Sequence, residues 1–260
     1  MTSPARPKVP DIPWLAEGCD VRTTTGEVGW SISSTVIMND PGLCLDPKRL
    51  SEKFLRIQEE IAKVDHFRLG DAVGVIDQLS GPELGQLSAS AVYRYVEIQD
   101  VGPGTYDVTT MRGWQLPTRA RHLLDPGDLM LGGIWGSVTK WFVAGHEENL
   151  IATNGFHRCK VLDKDLLIDL VVGLCSEAYA VQARALSRGS DGLAEVTADD
   201  IAEVLLPKIT DETVRKEVGV FLDAMLEGHT STKATVQDLI KSGRVPIPDV
   251  PPRPSHVVLV

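Results

Sequence analysis

The chain has 260 residues, of which 43% are hydrophobic, and its 26 basic and 36 acidic side chains give a formal net charge of −10. This length allows one large domain, or a medium domain with an added helical element. The acid excess argues against an autonomous DNA-binding protein, because neutralising phosphates supplies much of the affinity of such proteins. Any contact with nucleic acid must therefore depend on a local cluster of basic residues, or on a partner that brings positive charge.

Neither a membrane anchor nor a secretory signal is expected. No apolar run approaches the roughly 20 residues that a membrane helix needs, and the opening stretch MTSPARPKVPDIP lacks an apolar centre. The four cysteines form no CxxC pair and are expected to be reduced thiols. These features predict a soluble, cytoplasmic protein.

The first 45 residues are predicted to be an N-terminal extension. The prolines in residues 1–13 favour an extended chain. The segment 21–38 is rich in Thr, Ser, Val and Ile, which predicts one or two short strands with a turn at Gly26.

The first helix is predicted to begin at Asp46, a suitable capping residue, with Pro47 in its first turn. It is expected to end near Val64. Its apolar positions recur at helical spacing and are Leu50, Phe54, Ile57 and Ile61.

The middle of the chain has the pattern of an antiparallel sheet. The Gly-Pro-Gly and Asp-Pro-Gly-Asp sequences at 102–104 and 125–128 are typical of turns. Three glycines in the segment 129–136 predict a bulge or the close approach of another backbone. The predicted strands are 67–77, 94–101, 105–110, 129–136, 138–145 and 152–162, with 105–110 pairing back as a hairpin.

The last third of the chain is mainly helical in pattern. Its predicted elements are a helix at 166–186, a short helix from Thr197 to Val204, a strand at 205–209 and an amphipathic helix at 211–228 whose pattern resumes at 236–241. The element order predicts an α+β fold with a twisted, mainly antiparallel sheet, flanking helices and a projecting C-terminal helix.

The stretch GDLMLGGIWGSVTKWF at 127–142 invites comparison with a phosphate-binding loop. Its glycines are not followed by Lys-Ser/Thr, and strand-like sequence follows where a nucleotide fingerprint requires a helix. The six histidines have no metal-ligand spacing, and there is no GxSxG motif. We therefore expect no catalytic centre, no metal and no cofactor.

Basic and aromatic side chains are interleaved in the strand region. Arginine can contact guanine through two hydrogen bonds, and aromatic rings can stack on bases or wedge between them. Such residues also occur commonly on sheet surfaces and in cores, so composition leaves both interpretations open. The candidate DNA contacts are Arg112, Arg119, Arg121, Trp135, Lys140, Trp141 and Arg158, and Trp114 lies among them in sequence.

The C-terminal helix has an apolar stripe with two interpretations. It either packs on its own domain or forms a coiled-coil arm that binds a partner or a second copy. The stripe is too short on each side of a polar interruption for periodicity to decide. Its residues are Val214, Val218, Phe221, Leu222, Met225, Val236, Leu239 and Ile240.

The ordered motifs between about residues 45 and 242 resemble the target-recognition domain of the specificity subunit of type I restriction–modification systems. The motifs in chain order are LDPKRLSEKFLRI, RLGDAVGVI, YRYVEIQDV, LPTRARHLLDPGDLMLGGIWGSV, ATNGFHRCKV and DETVRKEVGVFLDAML. Their order and spacing carry the resemblance, which is to a half-size form. The chain has one recognition domain and one spacer-like helix, where the usual subunit has two of each.

The resemblance implies a domain division and a function. The implied division is an N-terminal extension at 1–45, a target-recognition domain at 46–209, a spacer helix at 210–242 and a Pro-rich tail at 243–260. The implied function is non-catalytic recognition of a double-stranded DNA half-site. The implied partners are an adenine-N6 DNA methyltransferase subunit and, where one exists, a restriction or translocase subunit.

Two questions stay open after the resemblance. The chain either forms a symmetric homodimer through its C-terminal helix, which predicts a palindromic bipartite site, or acts as one module of a different methylation-linked defence assembly. The alternative function is a protein-interaction module of a defence complex that keeps the fold without DNA readout, which the acidic charge favours.

Overall fold

The computed structural model describes residues 20–24, 27–31, 49, 51–189, 194–226, 238–239 and 241–244. The strands are β1 (Asp20–Thr24), β2 (Glu27–Ser31), β3 (His66–Arg68), β4 (Val73–Ile76), β5 (Val92–Val96), β6 (Val101–Gly102), β7 (Thr105–Tyr106), β8 (Thr109–Arg112), β9 (Ala120–Leu123), β10 (Leu129–Gly132), β11 (Trp141–Val143), β12 (Leu150–Thr153), β13 (Phe156–Val161) and β14 (Leu205–Pro207). The helices are α1 (Glu52–Ala62), α2 (Leu69–Ala72), α3 (Gly81–Leu84), α4 (Leu167–Leu174), α5 (Glu177–Leu186), α6 (Ala198–Ala202) and α7 (Glu212–Leu226).

Two four-stranded sheets form the centre of the fold. Sheet 1 has the strand order β11-β10-β13-β4 and is antiparallel throughout. Sheet 2 has the order β8-β5-β12-β9, and only its β5–β12 pair is parallel. The predicted α+β class with mainly antiparallel pairing is confirmed, but two sheets replace the single sheet that was expected.

Sheet 1 lies between the helices and sheet 2. Because successive side chains of a strand point to opposite faces, each strand of sheet 1 can contribute to a core on either side. On β10, Leu129 and Leu131 join the core that the helices cover, whereas Met130 points the other way. Met130 packs in a second core with Phe142, and with Val96 of sheet 2. Each buried side chain of this size stabilises the fold by roughly 1.5–3 kcal/mol.

Several predicted hairpins are confirmed. The strands β1 and β2 pair across the predicted turn at Gly26, which lies outside the described residues. The short strands β6 and β7 pair with each other, and β8 pairs back on β5. The predicted strand at 152–162 is instead two strands, β12 and β13, which belong to different sheets.

The helix predicted from 166 to 186 is broken into α4 and α5, which meet at an 85° bend. Ser176 explains the break: its Oγ donates to the Gly173 oxygen at 2.5 Å and accepts from the Tyr179 nitrogen at 3.0 Å. Serine competes with the helical backbone for hydrogen bonds and favours the position that caps a new helix.

The first helix begins later than predicted. Ser51 caps α1, and its Oγ accepts from the Phe54 nitrogen at 3.4 Å. Asp46, the predicted cap, lies outside the described residues. The predicted apolar positions Ile57 and Ile61 are buried, as expected for a helix that covers a core.

The helix α7 packs against its own domain instead of projecting from it. A buried ion pair fixes its first turn, because Asp169 of α4 accepts from the Arg215 guanidinium at 3.0 Å. The same carboxylate accepts from the Ile209 nitrogen at 2.7 Å. Removing one partner of such a buried pair costs about 3–5 kcal/mol.

Among the described residues, no single helix is long and apolar enough to cross a membrane, although the helical stretches Lys164–Leu174 and Glu177–Leu186 would satisfy length and composition if taken together across their bend.

Candidate nucleic-acid interface

Sheet 2 holds three of the predicted DNA contacts near its two edges. Arg112 ends the edge strand β8, Arg121 lies in the opposite edge strand β9, and Arg119 immediately precedes β9. Neighbouring strands lie about 4.8 Å apart, so the two edges are separated by roughly 14 Å. The fold thus brings these arginines to a single sheet.

The guanidinium groups of Arg112 and Arg121 donate only to main-chain carbonyl oxygens in the part of the chain that the structure describes. Arg112 is exposed and donates to the Ser90 oxygen at 3.1 Å. Arg121 donates to the oxygens of Thr118 at 2.8 Å and Leu79 at 3.3 Å. A carbonyl oxygen orients a guanidinium without neutralising its charge, so both charges stay available to a phosphate or a base edge.

Arg94 is a further cation of this kind that the sequence analysis missed. It donates to the Glu148 carbonyl oxygen at 3.0 Å. In the β5–β8 register Arg94 pairs with Thr110, while Val92 pairs with Arg112. Side chains at paired positions share a face, so Arg94 and Arg112 lie on the same face of sheet 2. The alternation of apolar and polar residues in β5 was the sequence signal that could have identified Arg94.

Arg119 carries a charge that is already partly compensated. Its guanidinium forms an ion pair with Glu97, although the arginine side chain is still 56% exposed. The hydrogen bond with Glu97 and the nearby Tyr95 hydroxyl raise the pKa of Arg119 above its ordinary value. Contact with DNA would therefore compete with this ion pair.

Arg158 is a structural residue of sheet 1. Its guanidinium donates to Asp128 at 2.7 Å and to Asp125 at 2.9 Å. The Asp128 side chain is 2% exposed and that of Arg158 is 13% exposed. This ion pair fixes the turn that leads into β10, so the placement of Arg158 does not favour the predicted contact with DNA.

The remaining predicted contacts belong to β11 of sheet 1 or to the segment that precedes it. Lys140 is half-buried and donates to the Ile98 oxygen at 2.5 Å. Trp135 is half-buried, and its main-chain nitrogen donates to the Ala194 oxygen at 2.8 Å. Trp141 is 0% exposed and belongs to the helix-covered core. The prediction of Trp141 as a DNA contact is corrected accordingly, because the indole does not reach the surface.

The glycine-rich stretch is a framework element of sheet 1. Gly127 adopts a φ of 88°, which favours glycine, in the turn before β10. A Cβ atom on Gly132 would lie 1.9 Å from the Ser137 oxygen, and one on Gly133 would lie 2.8 Å from the His157 ring. The predicted close approach of another backbone is confirmed at Gly132, whereas Gly133 meets a side chain and Gly136 has open space at its Cβ position.

A buried histidine lies between the two sheets. His122 is 2% exposed, and neither of its ring nitrogens has a hydrogen-bond partner of standard geometry among the described residues. Burial lowers its pKa to about 4, a main-chain contact with Phe156 opposes this shift, and the charge of Arg158 adds to it. His122 is thus a neutral core residue at ordinary pH.

The apolar stripe of α7 points mainly into its own domain. Val214, Val218, Leu222 and Leu239 are buried in the helix-covered core. Phe221 is half-buried; the side chain of Met225 and all of Val236 and Ile240 lie outside the part of the structure that is described. Val220, on the outer side of α7, is 67% exposed.

Trp114 is an exposed aromatic residue that was absent from the predicted contacts. It lies in a 3-10 turn at Gly113–Gln115, directly after Arg112, and is 68% exposed. Its position between Arg112 and Arg119 in sequence was the signal that could have identified it. In the described ranges, no group of three or more His, Cys, Asp and Glu side chains has an arrangement that could hold a metal ion.

The chain has weak structural likenesses to restriction–modification proteins. The HsdS subunit from Thermoanaerobacter tengcongensis is 18% identical, with a TM-score of 0.47, and the likeness covers 68% of this chain and 44% of that subunit. The S subunit of a type I restriction–modification system from M. genitalium is 13% identical, with a TM-score of 0.39 and coverage of 74% and 48%.

A third likeness is to a chain from a structural study of complex assembly and conformational transition of the type I R-M system. It is 16% identical, with a TM-score of 0.48 and coverage of 69% and 43%. The chain therefore spans less than half the length of each of these solved proteins. No protein-family model and no curated protein matches it.

Proposed function

We propose that this chain is a non-catalytic DNA-specificity subunit of a restriction–modification or related phage-defence system in the cytoplasm. It recognises a DNA half-site and directs a partner adenine-N6 DNA methyltransferase, with a restriction subunit where one exists. The observation that carries the proposal is the set of cations on sheet 2, Arg94, Arg112 and Arg121, which no described carboxylate neutralises although the net charge is −10.

The chemistry of these arginines suits a duplex. Each guanidinium has five N–H donors and uses one or two of them on main-chain oxygens. The donors left over can contact two acceptors of guanine or a phosphate. Main-chain bonds also restrict the arginine side chains before binding, which lowers the entropy lost on contact with DNA.

The positions of the ordered motifs also support the proposal. The sequence RLGD leads into β4, and DPGD leads into β10, so both belong to sheet 1. The unneutralised arginines lie on sheet 2, with the connecting segments 77–91 and 113–119 beside them. The motif YRYVEIQDV contains most of β5, and the motif that begins at residue 116 contains β9, so sheet 2 also carries part of the resemblance.

The partner-binding surface that we propose is the outer side of α7 and the chain that follows it. The inner stripe is already occupied by the core, which leaves exposed residues such as Val220 and Lys216 for a protein contact. A homodimer through this region would present two copies of sheet 2 to a palindromic site. The mass of the purified complex distinguishes this arrangement from a single copy.

Expression with a neighbouring adenine methyltransferase gene tests the function. In a host without adenine methylation, we expect both proteins together to methylate one sequence motif, and the methyltransferase alone to methylate none. Replacing Arg112 and Arg121 by glutamate should abolish the methylated motif while the two proteins still co-purify. A methylome that is the same with and without this chain would contradict the proposal.

A second candidate function is an assembly module that has lost DNA readout. Two observations favour it: the acidic net charge, and the pairing of Arg119 with Glu97 and of Arg158 with Asp128. The same double replacement of Arg112 and Arg121 discriminates between the candidates. An assembly module with this double replacement would still bind its partner, and its weak affinity for DNA would be unchanged.

A further inference from the structure

Trp114 is the most exposed large hydrophobic side chain in the part of the chain that the structure describes, at 68%. It follows directly on β8, an edge strand of sheet 2 with no strand partner on its outer side among the described residues. A single exposed apolar residue is ordinary on a protein surface. A function for Trp114 is indicated only if its backbone is held in place and residues that suit a ligand lie nearby.

The backbone that carries Trp114 is fixed by the neighbouring segment 88–91. The nitrogen of Gly113 donates to the Ala91 oxygen at 3.0 Å, and that of Trp114 donates to the Ala89 oxygen at 3.1 Å. A Cβ atom on Gly113 would lie 2.1 Å from the Ser88 oxygen, so only glycine permits this approach. The indole is therefore displayed on a restrained turn, and ordering this turn on binding costs little entropy.

The edge strand that leads to Trp114 and its neighbour β5 carry exposed apolar area and positive charge that no described carboxylate neutralises. Val92, which pairs with Arg112 across β5 and β8, is 48% exposed. Arg112 and Arg94 lie on that same face, and no described carboxylate forms an ion pair with either. We call Val92, Arg94, Arg112 and Trp114 the edge patch.

We infer that Trp114 stacks on or between the bases of a DNA duplex while Arg112 and Arg94 contact the flanking phosphates. This inference rests on the proposed function and assigns the edge patch as the element of sheet 2 that reads the duplex. Charge complementarity favours DNA over a protein partner as the occupant, because Arg112 lies two positions before Trp114 and neither Arg112 nor Arg94 is paired with a described carboxylate.

The test uses the full chain in complex with its methyltransferase. The probe is a pool of duplexes with a randomised centre, enriched by binding to the wild-type complex and then labelled with 2-aminopurine at single adenines. We expect the wild type to change 2-aminopurine fluorescence at one step, because the indole replaces a neighbouring base as the stacking partner there. Trp114→Ala should lose that signal and about tenfold or more in affinity, and Trp114→Phe should keep most of both.

Leu162→Ala is the matched control, since Leu162 is 64% exposed and follows β13 of sheet 1, away from the edge patch. It should bind like the wild type, and thermal unfolding should show that all variants are folded. If Trp114→Ala keeps the affinity or the fluorescence signal, the inference is overturned. If Arg112→Glu loses affinity in that case, the proposed function still stands. Loss of methyltransferase binding in Trp114→Ala would also overturn it, by assigning the residue to a protein interface. Failure of the wild-type complex to enrich any duplex would refute both proposals.

Discussion

His122 provides a titratable probe of the contact between the two sheets. The imidazole is 2% exposed, and burial lowers its pKa from 6.5 to about 4. The unfolded chain therefore takes up a proton at this residue at a higher pH than the folded protein does. Protonation favours the unfolded state, so the contribution of His122 to stability is greatest above pH 6.5 and decreases as the pH falls.

The size of the effect follows from the separation of the two pKa values. A difference of one pKa unit corresponds to about 1.36 kcal/mol, and the shift from 6.5 to about 4 spans roughly 2.5 units. The free energy of unfolding should therefore fall by about 3 kcal/mol between pH 7 and pH 4 through this residue alone. Below the folded pKa both states are protonated, and the pH dependence from His122 ends.

Urea titrations of the wild type and of His122→Leu near pH 7, 5.5 and 4 measure this contribution. Carboxylates titrate in the same range in both proteins, so the quantity to compare is the difference between the two free energies of unfolding at each pH. That difference should shift by about 3 kcal/mol in favour of His122→Leu at the lowest pH. His146→Leu, at an exposed histidine, is the matched control for the loss of an imidazole. A difference for His122→Leu that is constant with pH would refute the reasoning.

Three further predictions concern how the framework is held. Gly132→Ala should destabilise the fold by about 1–3 kcal/mol, because its Cβ would lie 1.9 Å from the Ser137 oxygen, whereas Gly136→Ala has open space and should change denaturant stability little. Asp169→Ala should cost about 3–5 kcal/mol in the same assay and detach the start of α7, which limited proteolysis would detect as new cleavage near that turn. Arg158→Gln should lower the melting temperature, because it leaves a buried carboxylate unpaired, while the DNA affinity of the folded fraction stays at the wild-type value; a selective loss of affinity would instead assign Arg158 to the interface.

Local sequence patterns predicted the elements that depend on residues close together in the chain, such as turns and hairpins. The hairpin of β6 and β7 follows from the Gly-Pro-Gly turn, and the α+β class follows from the change of periodicity after about residue 165. For the glycines of 129–136 the sequence left a bulge and a close backbone approach open, and the close approach occurs at Gly132. The break at Ser176 was missed because the apolar pattern continues across it, although a serine followed by glutamate is a capping signal.

The candidate site was less predictable because it depends on contacts between distant residues. Arg112 and Arg158 look alike in sequence, but a carboxylate 30 positions away neutralises Arg158, and none among the described residues does so for Arg112. Trp141 and Trp114 are likewise equivalent by composition, yet one is fully buried and the other is 68% exposed. The packing of a second sheet decides which side of a strand it covers, and local sequence alone did not predict this.

Equilibrium binding by the chain in complex with its methyltransferase tests the central claim most directly. The comparison is between the duplex that this complex selects and the same duplex with its sequence scrambled, measured over a range of salt concentrations. A DNA-specificity subunit should prefer the selected duplex by at least about a thousandfold, with affinity that falls as salt rises. Equal affinity for the two duplexes at every salt concentration would contradict that claim.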